Sequence, residues 1–294
     1  MKFTLHRPAS MSQAIALAAR YAGHCRYIAG GTDLVVQLRR GIRVCPELID
    51  LSGMTGLKQI EKHSTGYQIG ALCTHKDIES HAGLQADFPA LCKAARVVGG
   101  HQVRNVGTIG GNIANASPAA DVAIALLGLG ASVMVTGNGG TRSISIDDFF
   151  LAPGKTILRE DEIIQGIAIP KPGVFTDGGN RYATDFIKIG RRKAMEIAVA
   201  SVAVLVNADA DGKVLSTRIA LGAVGPKPLR AVKAEVALRE QHLTAAIIAE
   251  AAKIAACEDC TPRTDVRASD QYRRKVIEGS VNRALTDISN ALRG

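Results

Sequence analysis

Two short glycine-rich stretches hold the residue types best suited to chemistry in this sequence. The first is Ala29-Gly30-Gly31-Thr32-Asp33. The second is Thr108-Ile109-Gly110-Gly111-Asn112, with Asp121 nine positions further on. Paired glycines are costly to fold, because glycine loses the most backbone freedom. They are expected where something must come close to the main chain. Open backbone N–H groups at the start of a helix can hold a diphosphate. Thr32 and Thr108 would add hydroxyl donors, and Asn112 an amide that tolerates turn geometry. A tight turn before a helix is the plainer reading of either stretch alone. Neither stretch fits G-x-x-x-x-G-K-S/T, nor G-x-G-x-x-G inside a strand–helix–strand unit, which argues against a P-loop and against a Rossmann site.

The other reactive residue types form no comparable group. Of the six cysteines, Cys25, Cys45, Cys73, Cys92, Cys257 and Cys260, only the last two have ligand spacing. A lone C-x-x-C lacks the second pair that a closed zinc or cluster site needs. It also lies at the end of an Ala-rich helical stretch, not at the start of one as in a redox dithiol. The seven histidines are dispersed. No catalytic residue and no metal ligand is assigned.

Positioning the glycine stretches falls to the elements around them. Residues 10–21 have helical spacing, with Ser10 and Gln13 as a capping pair. Tyr27–Ala29 reads as a strand and Asp33–Arg40 as a helix, so the first glycine pair joins a strand to a helix. "PELIDLSGM" and "GYQIGALCT" read as short strands. Thr74 and Asp77 mark a helix start, and Ala90–Val98 continues as helix. "VGTIGGNIANASPAAD" is almost entirely turn-forming or small residues. Asp121–Leu129 is helical, "ASVMVTGNGGTRSISI" is a hairpin on the Asn138-Gly139 turn, and "DEIIQGIAIP" is a strand. "PKPGVFTDGGN" reads as a linker. A second hairpin turns at Asp209–Lys213. Helices follow at Leu243–Ala256 and Tyr272–Leu292, the latter with Lys and Arg on one face. The class is α+β.

Composition narrows the function classes. The chain has 294 residues, 47% hydrophobic and 21% charged, which fits a packed protein of two or three domains and not a disordered one. Aromatic residues are 4%, and the net charge of +9 is scattered, so stacking platforms for nucleic acid are not expected. No apolar run approaches the ~20 residues of a membrane span, and the first 21 residues do not read as a signal peptide. A cytoplasmic location is expected, and unpaired cysteines fit it.

Taken together, "AGGTDL" and "TIGGNIANASPAAD", with Gly30 and Gly110 80 positions apart, resemble the FAD-binding medium subunits of the molybdenum hydroxylases, the xanthine dehydrogenase and carbon monoxide dehydrogenase family. The resemblance extends to "DDFFLAPGKTILREDEIIQGIAIP", "FIKIGRRKAMEIAVASVAV", "ALGAVGPKPLRA" and "TPRTDVRASDQYRR", in order along almost the whole chain. It implies a two-part FAD-binding domain of the PCMH/vanillyl-alcohol-oxidase-like type over 1–175, with subdomains of about 1–55 and 56–175. A C-terminal α+β domain of the carbon monoxide dehydrogenase flavoprotein type would fill 176–294.

By the same resemblance, Ile28, Ala29, Gly30, Gly31, Thr32, Asp33, Leu34 and Val35 would wrap the FAD diphosphate with backbone amides. Thr108, Ile109, Gly110, Gly111 and Asn112 would form the other side of that cradle. Asp121 would accept ribose hydroxyls on the adenosine side, or act as a helix cap after Pro118. Ile164 would contact adenine, Lys188 the anionic edge of the flavin, and Ile197 the ring itself. An ordinary core or surface role stays open for each. Val98 stands where a relative has an aromatic. Arg191, Arg192 and Lys193 would form a basic loop on the nicotinamide side. Thr32 stands where related oxidases carry a flavin-linking histidine, so FAD would be non-covalent.

The function implied is electron transfer. Electrons would come from a large molybdenum-cofactor subunit through the [2Fe–2S] clusters of a small subunit to FAD, and then to NAD, O2 or a quinone. The assembly would be a dimer of heterotrimers, with the basic helix at Tyr272–Leu292 offered to an acidic partner. The alternative is a standalone FAD-dependent oxidoreductase of the same fold.

Overall fold

A computed structural model describes residues 2–171, 180–192 and 195–293. The linker expected at 170–180 and Lys193 lie wholly or mostly outside the described residues, as does the expected boundary at 175/176.

The chain opens with a small three-stranded parallel sheet. Strands β1 (Thr4–His6), β2 (Cys25–Ile28) and β3 (Glu47–Asp50) lie in the order β1-β3-β2. Helix α1 (Met11–Arg20) crosses between β1 and β2, and α2 (Leu34–Arg39) follows β2. Ser10 caps α1 by accepting from the Gln13 N–H, while Gln13 reaches back to the Ala9 N–H. The capping pair is therefore real, displaced by one residue from the reciprocal form. Ala14, Ile15 and Ala18 bury the inner face of α1 on Ile49 and Leu51.

The middle of the chain builds a five-stranded antiparallel sheet from β4 (Ile60–His63), β5 (Gly66–Gly70), β6 (Ser132–Gly137), β7 (Gly140–Ser145) and β10 (Ile163–Pro170), in the order β4-β5-β10-β6-β7. A two-stranded ribbon, β8 (Phe150–Ala152) and β9 (Lys155–Thr156), precedes β10. Between β5 and β6 run six helices: α3 (His75–Ser80), α4 (Ala82–Asp87), α5 (Pro89–Arg96), α6 (His101–Arg104), α7 (Ile109–Ala114) and α8 (Asp121–Gly128). The short α9 (Ile146–Phe149) follows β7. The stretch of turn-forming and small residues is thus partly helical, because α7 falls inside it and α6 ends just before it. Thr74 closes the start of α3 with a full capping box to Asp77, as expected.

The C-terminal part is an antiparallel sheet of β11 (Arg181–Ile189), β12 (Ala200–Ala208), β13 (Val214–Gly222) and β14 (Leu229–Arg230), in that order. Helices α10 (Val232–Leu238), α11 (Ala245–Ile254) and α12 (Asp270–Arg293) pack on one face. The other face lies on α5 and α8. Phe186, Ala203, Leu205 and Ala220 join the core of the middle part, whereas Val202, Val204, Val206, Ile219 and Leu221 join the helical core. Period-two alternation sends neighbours to opposite faces. Every residue of β12 is buried, because both faces are covered. Among the described residues no helix is long and apolar enough to cross a membrane.

One expectation about α12 is corrected. Its Lys and Arg residues do not form one free face. Arg273 is 2% exposed and donates to the carbonyls of Val199 and Ala223 and to Asp265. Arg274 donates to the Ala256 carbonyl, ending the helical run that precedes α12.

Candidate functional site

Strand β2 stops at Ile28, and the chain turns through Ala29–Asp33 into α2. Gly31 makes this turn with φ of +68°, a left-handed conformation that glycine adopts without a steric penalty. Gly30 is glycine for a different reason. A Cβ there would lie 1.8 Å from the Val106 carbonyl oxygen. The close neighbour of Gly30 is thus the protein's own backbone just ahead of the second glycine stretch. This contact corrects the sequence reading of Gly30, which looked for that neighbour in a ligand. It also locks the two stretches together. The Val35 N–H donates to the Gly31 carbonyl. Among the described residues none accepts from the N–H groups of Gly31, Thr32, Asp33 and Leu34. Successive unused donors next to a left-handed glycine are the ingredients of the backbone nests that hold anions.

The second stretch works as a clamp more than as a row of open amides. Thr108 caps α7, its Oγ1 accepting from the Gly111 N–H at 3.1 Å. The Ile109 N–H donates to Cys73, the Gly110 N–H to Ala71 and the Asn112 N–H to Thr108. Ile109 is fully buried, and a Cβ on Gly110 would sit 2.8 Å from the Ala71 carbonyl oxygen. Ile109 and Gly110 therefore dock α7 onto the end of β5 and present no free donor. Thr108, Gly111 and Asn112 are the members of this stretch that reach the cleft.

The cleft between the two stretches has a volume of about 370 Å³. Residues 28–34 form one wall, and α7 with residues 154–162 forms the other. It opens at the carboxyl end of the parallel strand β2, the usual position for a ligand crevice beside parallel strands. Gln37 of α2 donates to Asn115 at 3.0 Å, tying the walls together. Sequence reasoning missed Gln37, Asn115, Arg43, Arg159 and His75, all of which line the cleft. The one available signal was at His75, which follows the capping Thr74. His75 is 2% exposed, and its pKa is pushed down to about 4 by burial and by the nearby Arg104 cation. The imidazole is neutral at physiological pH. Nδ1 of His75 and Oδ1 of Asn112 are buried without partners among the described residues.

The remaining expected positions lie outside this cleft. Ile164 is a core residue of β10, and Ile197 is 59% exposed on the surface. Val35 packs behind Gly31. Asp121, buried at the start of α8, pairs with Lys188 of β11 at 2.7 Å, and Lys188 also donates to the Val97 carbonyl. The resemblance sends Asp121 to the adenosine end and Lys188 to the flavin ring. The ion pair sets the two side chains directly against each other. Burial pushes the Asp121 carboxyl up to about 6, against the pull of Lys188, and its Oδ1 has no partner among the described residues. Asp121 does not cap α8 through its side chain, where Ala120 holds the capping position. Lys188 borders a second hollow of about 410 Å³ with Val97, Gly190, Arg191, Arg192 and Glu196. Val98 lines the first hollow and Val97 the second, so the two adjoin along α5's end.

This geometry has close counterparts. Residues 1–172 match the family described as the FAD binding domain in molybdopterin dehydrogenase, and residues 185–288 match the CO dehydrogenase flavoprotein C-terminal domain. The chain is 31% identical over 264 residues to the glyceraldehyde dehydrogenase medium chain of Sulfolobus acidocaldarius, covering 90% of each protein. It is 31% identical over 284 residues to the carbon monoxide dehydrogenase medium chain of Hydrogenophaga pseudoflava, covering 97% of this chain and 96% of that one. A carbon monoxide dehydrogenase structure from Hydrogenophaga pseudoflava superposes with a TM-score of 0.91 at 32% identity, over 99% of this chain and 98% of that one. Quinoline 2-oxidoreductase from Pseudomonas putida 86 gives a TM-score of 0.91 at 27% identity, over 100% of this chain and 99% of that one. The chain belongs to the FAD-binding medium-chain family of the carbon monoxide and xanthine dehydrogenases, an FAD-binding domain joined to a CO dehydrogenase flavoprotein C-terminal domain.

Proposed function

We propose that this chain is the FAD-carrying electron-transfer subunit of a molybdenum-containing hydroxylase or dehydrogenase. The observation that carries the reading is the run of four unused N–H groups at Gly31–Leu34, residues that line the same cleft as Thr108, Gly111 and Asn112. The residues fit a dinucleotide. The amides and the helix start favour a diphosphate, and Thr32 and Thr108 add hydroxyls. Gly111 and Asn112 border the same cleft, and Lys188 with Asp121 would meet the far end of the ligand beyond Val98. Bound FAD supplies the redox chemistry, and the protein's part is to seat it, orient it and limit water. Thr32 has no group that forms a covalent flavin link, so the cofactor is held non-covalently.

The finer parts of the proposal follow the family. The FAD-binding part would span 1–175, with subdomains of about 1–55 and 56–175, and the C-terminal domain 176–294. Electrons would arrive from the [2Fe–2S] clusters of a small subunit, fed by a large molybdenum-cofactor subunit. They would leave to NAD, O2 or a quinone. The assembly would be a cytoplasmic dimer of heterotrimers. The relatives named as medium chains support this division of labour.

Two preparations test the reading. The chain made alone should bind one FAD, released completely by acid, and show at most slow NADH diaphorase activity. The tagged chain purified from its native host should bring a small iron–sulfur protein and a large molybdenum protein, and only that preparation should oxidise an organic donor. Full turnover of an organic donor by the lone chain would establish a standalone flavoenzyme instead.

A further inference from the structure

The lining of the cleft holds, close to Thr32, a polar side chain with no partner among the described residues. His75 is the first residue of α3, and its position is fixed from several directions. Its backbone N–H donates to the Gly107 carbonyl. Thr74 before it is held by Asp77 through both its N–H and its hydroxyl. The ring edge abuts Gly107, where an added Cβ would lie 3.2 Å from His75 Cδ2 and 3.5 Å from Thr32 Oγ1. The imidazole and the Thr32 hydroxyl therefore flank the same glycine. Among the described residues neither ring nitrogen has a hydrogen-bond partner, and Nδ1 is sealed from solvent.

A buried polar ring is costly to leave wholly unpaired, so a partner is expected at whichever nitrogen can still be reached, while the sealed one stays unused. An orphaned N–H is rarer than an unused acceptor. The arrangement that wastes least places the ring proton on Nε2 and leaves Nδ1 as the unused lone pair. The donor then belongs to the ring nitrogen that is not sealed, in a side chain that lines the cleft. Arg104, pinned by Glu79 at 3.1 Å, disfavours a second ring proton.

We propose that His75 is a further ligand-binding residue, a neutral imidazole whose Nε2–H donates to a diphosphate oxygen of the dinucleotide seated on the Gly31–Leu34 amides. The proposal rests on the FAD reading above and assigns to it a residue from outside the two glycine stretches. It also explains why a histidine, rather than an apolar residue of similar size, fills a nearly closed position at the start of α3.

The test titrates FAD and ADP into the full chain, stripped of flavin, as wild type, His75→Leu and His75→Gln. ADP keeps the diphosphate and lacks the flavin. His75→Leu should weaken both ligands by roughly tenfold or more, as expected for one hydrogen bond to a charged group. His75→Gln, which keeps an N–H donor, should fall between the two. The flavin-free melting temperature of His75→Leu should not drop, because a merely structural histidine would lower it and a ligand-facing one would not. Selective 15N-imidazole labelling of the wild type gives a readout that needs no variant to fold. FAD and ADP should both shift the Nε2 resonance assigned to His75, with the proton on Nε2. Unchanged affinity in both variants, or an unmoved resonance, overturns the assignment. Loss of FAD binding with normal ADP binding also overturns it, by moving His75 to the flavin side. A wild-type chain that binds neither ligand defeats the FAD reading itself.

Discussion

Gly30 and Gly31 are neighbours with different duties, and substitution separates them. Gly30→Ala puts a methyl group 1.8 Å from the Val106 carbonyl oxygen, so the two walls of the cleft must part. Overpacking of this kind costs about 1–3 kcal/mol or more. Gly31→Ala meets only side chains, the nearest at 3.1 Å, and carries mainly the left-handed strain of about 1–2 kcal/mol. Thermal melts of the flavin-free chain should place Gly30→Ala below Gly31→Ala, and equal melting temperatures would count against the backbone contact. His75 makes a second prediction at this scale. Its folded pKa of about 4 lies below the ordinary 6.5, so the unfolded chain takes up the proton first as acid is added. Stability tied to this group is full above pH 6.5 and lost toward pH 4. Asp121 acts in the opposite sense, since its raised pKa gives stability at low pH that is lost as pH climbs toward 6. Subtracting the His75→Leu curve from wild type cancels Asp121 and should leave a loss of about 3 kcal/mol across that window, measured by denaturant titration at each pH. A flat difference curve would show that the ring is not held neutral. Both glycines were legible as places of close approach. The partner of Gly30 was not, because Val106 lies 76 residues away in sequence and nothing local marks it.

Elements were easiest to read where period and caps agreed. The start of α1 at Ser10, the start of α3 at Thr74 and the Asn138-Gly139 hairpin each had a local signal and a local cause. Helix α7 lacked both. Two glycines cost it about 1 kcal/mol each relative to alanine, so its sequence reads as turn. It is helical because Gly110 seats on Ala71 and the N–H groups of Ile109 and Gly110 find carbonyls at the end of β5. Tertiary contact overrides propensity there, and no window of local sequence reports it. The pair between α8 and β11 was equally hidden, since Asp121 and Lys188 were each readable as candidates but not as partners. Their side chains are 6% and 10% exposed. Removing one member of such a pair strands a buried charge, at a cost of about 3–5 kcal/mol. Asp121→Ala or Lys188→Met should therefore destabilise the flavin-free chain by that order, and Asp121→Leu with Lys188→Met together by much less than the sum. Additive losses in the double-mutant cycle would mean the pair is not coupled.

At the scale of the whole molecule, the middle and C-terminal parts are built as one body. The inward face of β12 and β13 completes the core around α5 and α8. Arg218 donates to the Leu127 carbonyl and to Asp147, Arg230 bridges Asp147 and Glu235, and Lys227 donates to the Phe150 carbonyl. These two parts should open together. Hydrogen exchange should give β6, β10 and β12 the same slowest opening free energy, and two distinct levels would show that the C-terminal part unfolds alone. The apolar run of β12 was legible as one arm of the second hairpin, but not which core its two faces serve. That required knowing that α8 lies against it, with Gly128 close on Ala203.

The parallel sheet β1-β3-β2 stands apart from this body. Its cores are small, and its links to the remainder include Leu72 and Ile163, the Gly30–Val106 contact, the Gln37–Asn115 bond and the Tyr27 hydroxyl donating to the Asp161 carbonyl. The cleft runs along that seam, so a molecule bound in it works as a rivet as well as a cofactor. Ligand held only by the closed arrangement raises the free energy of prying the lobe away by RT ln(1 + [L]/Kd). A protease therefore reports on occupancy. Trypsin should cut the flavin-free chain first around Arg39, Arg40 and Arg43, which lie within the loosely held lobe between β2 and β3. Added FAD should slow that cleavage far more than cleavage near the C-terminal helices. In a cell, a chain that has not yet received its flavin would then be the one marked for removal, and quality control would act at the seam.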